Sequence, residues 1–175
     1  METAGIVQKD LSIERNVHYS THMSVLIESD LTSGLLERWL QNAESLDTFL
    51  EQFLSLSLPI REWTHRAHLG AATALVLRHG RDAALATLRD AIPRYNEANG
   101  GANTESSGYH ETLTVFWLHR VADLLDRLPP SLDSLTKLRV VVEAYGSIRR
   151  LDRAFYTFDV VKSREARREW IEPDR

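Results

Sequence analysis

The chain contains no cysteine. Disulfides, thiolate metal sites, iron–sulfur clusters and cysteine nucleophiles are excluded together, and a reducing compartment fits. No stretch approaches the roughly 20 apolar residues that a membrane helix needs. The N-terminus lacks the basic flank and apolar core of a signal peptide, so the expected location is the cytoplasm, with no membrane partner. An excess of positive charge is also missing: 21 Lys and Arg stand against 25 Asp and Glu, a net charge of -4. Nucleic-acid binding depends on clustered cations, and none is expected here. There is no GxSxG elbow for serine catalysis. Gly100-Gly101 lacks the preceding strand and the lysine of a phosphate loop. Repeats and low-complexity tracts are absent.

What is present is an ordinary globular composition, 43% hydrophobic and 26% charged over 175 residues. That length suits one domain with a proper core and is short for two. Residues 1–33 show no sustained period and read as a variable N-terminal extension, with a short strand or helix around residues 23–27. His18 and His22 have metal-compatible i, i+4 spacing there, though surface histidines in a variable arm are the simpler reading. Residues 34–175 read as a helical domain.

Leu35, Leu36, Trp39 and Leu40 suggest a short amphipathic segment. Ser45 opens a stripe of Leu46, Phe49, Leu50, Phe53 and Leu54 at helical period. Pro59 is placed to start the next helix, which runs to a Gly80 C-cap with Arg78 and His79 at its negative end. A further helix begins at Asp82, with Pro93 a kink or a division. Residues 99–108 (NGGANTESSG) are the clearest loop. Helices over 109–128, 132–147 and 152–170 complete an expected all-α, compact bundle of six or seven helices with short connections. Val140-Val141-Val142 is the one run that tempts a strand assignment.

Chemistry concentrates in two segments. In Trp63-Thr64-His65-Arg66-Ala67-His68-Leu69, the i, i+3 spacing lets His65 and His68 converge on one point. The apolar stripe that follows, Leu69, Ala72 and Val76, turns at least one imidazole inward. A buried imidazole needs a partner for each nitrogen: a metal, a carboxylate or a carbonyl. The second segment, Tyr109-His110-Glu111-Thr112-Leu113-Thr114, starts a helix whose faces are apolar around both His110 and Glu111.

Two readings follow. In the first, His65, His68 and His110 hold a divalent ion, zinc or iron, with Glu111 as fourth ligand or general base; a two-histidine, one-carboxylate set is equally legal. The ion would lower the pKa of bound water or polarise a substrate oxygen, making the protein a metal-dependent enzyme acting on a small molecule. Tyr109 is a candidate proton donor, and Trp63, Tyr95, Asn96 and Thr114 are candidate pocket residues. In the second, Glu111 accepts first-turn N–H groups, and the histidines join it in a buried hydrogen-bond network of a non-catalytic ligand-binding or interaction domain. His119 lies out of phase with the site, and His79 serves as a helix C-terminal cation. Trp39 and Leu40, read as exposed, would supply an interface for a possible homodimer.

With these residues in hand, the chain resembles a family of small, uncharacterised bacterial helical proteins. The shared elements read here as Trp63 to Leu69 (WTHRAHL), Arg94-Tyr95-Asn96, Tyr109-His110-Glu111-Thr112, and Ser163 to Asp174 (SREARREWIEPD). The resemblance covers residues 46–174, leaves the first 45 outside, and implies no particular reaction. The closing motif, with Arg164, Arg167, Arg168, Trp170 and Glu172, is expected to be a solvated terminal helix. A tail folded over a pocket, with Tyr156 lining it, is the alternative.

Overall fold

The computed structural model describes residues 37–175, and every structural statement below concerns these. The proposed extension, the segment at 23–27, the His18/His22 pair, Leu35 and Leu36 lie outside them. Six α-helices form an all-α fold: α1 (Ala43–Leu54), α2 (His65–His79), α3 (Arg81–Ala98), α4 (Glu111–Leu125), α5 (Ser134–Tyr145) and α6 (Arg164–Arg168). Short 3-10 turns at Arg38–Leu40, Ile60–Glu62, Leu151–Ala154 and Val160–Lys162 complete the element order. Among the described residues no helix is long and apolar enough to cross a membrane.

Every helix but α3 starts where a side chain satisfies the first free N–H groups. Asn42 and Ser45 form a reciprocal capping box before α1, and Thr64, Asp133 and Ser163 cap α2, α5 and α6. Gly80, at φ 80°, ends α2 and passes straight into α3. α3 continues through Pro93 as one helix, so the division anticipated there is absent. The triple valine lies inside α5, where Val141 and Val142 are fully buried.

α2 is the central helix. Its buried run of Ala67, Leu69, Gly70, Ala71, Ala72, Thr73, Ala74 and Leu75 lets α3, α4 and α5 pack around it. Small side chains make such close approach possible on several faces. A Cβ at Gly70 would overlap Cη2 and Cζ3 of Trp39, which in turn stacks on Phe49 with ring centroids 4.7 Å apart. Trp39 and Leu40 are thus core residues, 7% and 1% exposed, and supply no dimer surface.

The C-terminal third departs most from expectation. Instead of one helix over 152–170 with a solvated closing motif, the chain makes two 3-10 turns and the short α6, packed onto α4. Asp152, 1% exposed, is held by Arg150 through Nε (3.1 Å) and Nη2 (3.0 Å), and Arg150 also reaches Asp159 at 2.8 Å. Two carboxylates sharing one guanidinium shape a compact turn that a continuous helix could not provide. Ala166 is buried with Phe116, Tyr156 and Val160 in a second core, against which Trp170 and Ile171 pack. The Tyr156 hydroxyl donates to the Ile171 carbonyl at 2.7 Å, and the Asp174 carboxylate accepts from Thr157 N at 2.7 Å. Tyr156 is a core residue tied to the tail.

Candidate functional site

A cavity of about 350 Å³ opens between α2, α3 and the start of α4. Helix α2 contributes His65, His68, Leu69 and Ala72; α3 contributes Leu88, Ile92 and Asn96. The loop before α4 and α4 itself bring Gly108, Tyr109, His110, Leu113, Thr114, Trp117 and Leu118, with Trp63 and Arg149 completing the wall. Such a volume lies at the lower end of the range for small-molecule pockets, roughly 300–1,000 Å³.

Trp63, Asn96 and Thr114, expected in a pocket, all line this one. Tyr95 does not: it is fully buried behind Trp63, ring centroids 5.2 Å apart, and its hydroxyl donates to the Leu58 carbonyl at 2.8 Å. His119 is elsewhere, edge-on to Trp170 at 5.3 Å.

The two histidines of α2 face the cavity in different states. His65 Nε2 lies 3.2 Å from the Tyr145 carbonyl, and a carbonyl only accepts, so Nε2 carries the proton and Nδ1 is left as an acceptor. Its ring meets Trp117 edge-on at 4.8 Å. His68 lies against Trp63, centroids 4.0 Å apart, and makes no hydrogen bond to a described residue. Burial lowers the His68 pKa to about 4, helped by His65 beside it; burial also lowers His65, with Arg149 and Arg66 adding to the effect. Both rings are neutral at pH 7. Trp63 Nε1 is buried without a partner.

His110 is arranged otherwise. It is the N-cap of α4: Nδ1 accepts from Leu113 N at 3.3 Å, and Nε2 donates to the Val160 carbonyl at 3.0 Å. Both ring nitrogens are spent on the fold, in the neutral state that burial favours. Glu111 is also spent. Arg89 Nε donates to its two oxygens at 3.0 and 3.3 Å, Arg89 Nη2 donates as well, and the Tyr109 hydroxyl donates to Oε2 at 2.7 Å. Arg89 and Tyr109 hold the Glu111 pKa down against the opposing effect of burial, while burial and Glu111 push the Tyr109 hydroxyl far up. An ionised carboxylate gripped by a guanidinium and a phenol that will not ionise are poor proton-transfer groups. Glu111 is not part of the cavity wall.

The four proposed ligands therefore do not assemble. Among the described residues no group of three or more His, Asp or Glu side chains is placed to hold a metal. A shared ion needs a free lone pair from each ligand at about 2.0–2.1 Å, which His110 lacks while it caps α4 and bonds Val160. His65, His68 and His110 share a cavity without sharing a role.

Several residues that build the site were given no role in it from the sequence. Asn103 organises the loop: Oδ1 accepts from Asn96 Nδ2 (3.1 Å) and Tyr109 N (3.0 Å), and Nδ2 donates to the Pro93 carbonyl (3.0 Å) and Glu97 (2.9 Å). Gly108, at φ 77°, has no room for a Cβ against Ala102 O and Asn103. Arg167 donates from Nη1 to the Gly108 and Tyr109 carbonyls, both at 3.1 Å, and Thr112 ties the tail through Glu169 O (2.6 Å) and Ile171 N (3.0 Å). The closing motif thus braces one wall of the cavity. An Asn within a Gly-rich polar loop was the sequence signal for Asn103; Arg89 carried none, and Arg167 was read only as part of a solvated closing motif.

No family model matches the chain, and comparison with curated proteins and with solved structures returned no match.

Proposed function

We propose that this protein binds a small, largely apolar organic molecule in the cavity between α2, α3 and α4, with the two α2 imidazoles as its hydrogen-bonding groups. The observation that carries this reading is His68: a neutral imidazole, packed against Trp63, on the wall of a cavity, with no hydrogen-bond partner among the described residues. A half-buried polar group left without a partner costs roughly 1–3 kcal/mol, which a bound molecule would recover. His65 Nδ1 offers a second acceptor, and Asn96 and Thr114 add polar atoms to an otherwise aliphatic and aromatic wall.

The His110–Glu111 network supports the same reading by fixing the start of α4 and the loop that carries Tyr109. In a metal-dependent alternative, His110 would have to leave both Leu113 and Val160, and Glu111 would have to leave Arg89 and Tyr109. Releasing four such groups together costs several kcal/mol.

The test is a ligand-observed NMR screen of small aromatic and alicyclic compounds against the full chain, beside an Ala72→Phe variant that fills the cavity. Hits bound by the wild type and lost in the folded variant support the pocket. A library in which nothing binds, or hits that survive the filling substitution, overturn it.

A further inference from the structure

The charges around the cavity narrow its ligand. The chain as a whole is acidic, with 25 Asp and Glu, yet no Asp or Glu lines the cavity. The charged residue in its wall is Arg149. Arg149 is exposed and makes no ion pair or hydrogen bond with any described residue. Its neighbour Arg150 shows the contrast, held by both Asp152 and Asp159. The Arg149 charge is felt inside, where it acts on His65. An unpaired guanidinium beside an apolar cavity without carboxylates is a binding site for one anionic group, which it can grip with two parallel N–H donors.

Resting on the pocket reading above, we infer that the ligand is an amphipathic carboxylate: an apolar or aromatic body enters between Trp63, Trp117 and Leu118, and its carboxylate stays at the rim on Arg149. The interior suits only an uncharged body, because the surrounding imidazoles are neutral and the remaining wall is mostly hydrocarbon. The rim suits the charge, because there a carboxylate keeps part of its hydration while pairing with Arg149. Dicarboxylates and cations are disfavoured, having either a second charge to bury or none that Arg149 would accept.

The experiment is calorimetric titration of the full chain with 2-naphthoate, indole-3-acetate and hexanoate, each beside its primary amide. In the wild type each carboxylate that binds is expected to do so roughly tenfold or more tightly than its amide, the effect of one charge-assisted pair. Arg149→Gln should bring the two affinities together while leaving the amide unchanged, and Arg149→Lys should restore part of the preference. The substituted side chain has no partner to lose, so both variants should fold as the wild type does. Equal affinities for acid and amide in the wild type, or a preference that persists in Arg149→Gln, overturn the carboxylate assignment and leave the pocket standing. If neither series binds, or if both still bind Ala72→Phe, the pocket reading itself falls and takes this inference with it.

Discussion

Two segments that look alike in sequence, WTHRAHL and YHET, have opposite destinies in the fold. In YHET, both nitrogens of His110 and both oxygens of Glu111 are bonded to protein, and the Tyr109 hydroxyl donates to Glu111. In WTHRAHL, His68 faces a cavity with no hydrogen bond, and His65 uses one nitrogen. The difference lies in where each segment meets the rest of the chain. His110 caps a helix beside the Val160 carbonyl, 50 residues away, whereas the first turn of α2 looks into space bounded by Trp63 and Trp117. Residue type selects a possible chemistry, and free valence decides whether it is on offer.

The largest expected effect that separates the two segments comes from acid. A histidine whose folded pKa lies below the unfolded value gives stability that is full above the unfolded pKa and is lost as the pH falls towards the folded one. For His68 that window runs from 6.5 down to about 4, worth about 3 kcal/mol over its length. His65 and His110 shift in the same direction. Urea unfolding followed from pH 7 to pH 4 should show this loss, and His68→Gln should remove the largest part of the slope while changing stability at pH 7 by less.

Next come substitutions in YHET, which should damage the fold; at Glu111, outside the cavity wall, they should also spare the cavity. Glu111→Ala strands the Arg89 guanidinium and the Tyr109 hydroxyl and should lower stability by about 2–3 kcal/mol, the half-exposed Arg89 limiting the loss. His110→Ala loses a cap and one of the two donors to the Val160 carbonyl, which keeps Ser163 N, about 1–2 kcal/mol. Tyr109→Phe removes one hydrogen bond, about 1 kcal/mol. Denaturation midpoints check all three, and ligand affinity per folded molecule should be nearly unchanged for Glu111→Ala. A binding loss there larger than the stability loss would make Glu111 part of the site and break the comparison.

Helical periodicity made most of the fold legible. Apolar spacing located α1, α4 and α5 to within a few residues; α2 starts at His65, after a 3-10 turn over Ile60–Glu62, and not at Pro59, while its cap at Gly80 was visible directly. Trp63 and Thr114 lie in the two polar segments and Asn96 near the loop, and all three line the cavity. Pairings between distant segments were not legible. Glu111 meets Arg89, 22 residues away on another helix, and nothing in either local sequence marks the partner. The tail was misread because three arginines in SREARREW suggest a solvated surface, whereas Ala166 is buried and Arg167 bonds backbone carbonyls of the cavity wall. Tyr95 was misplaced for a related reason: its position next to Asn96 says nothing of phase, and on a helix consecutive residues point about 100° apart.

The central claim is that His110, in the cavity wall, has both ring nitrogens held by the framework, whereas His65 and His68 keep a nitrogen free for a ligand. Long-range proton–nitrogen NMR of the imidazole rings at pH 7, before and after one equivalent of zinc and separately of a screened ligand, tests it most directly. The account predicts a His110 ring protonated at Nε2 that neither addition disturbs, with ligand-induced shifts at His65 and His68. Zinc-induced shifts shared by His65, His68 and His110, with loss of the His110 Nε2 proton, would contradict it.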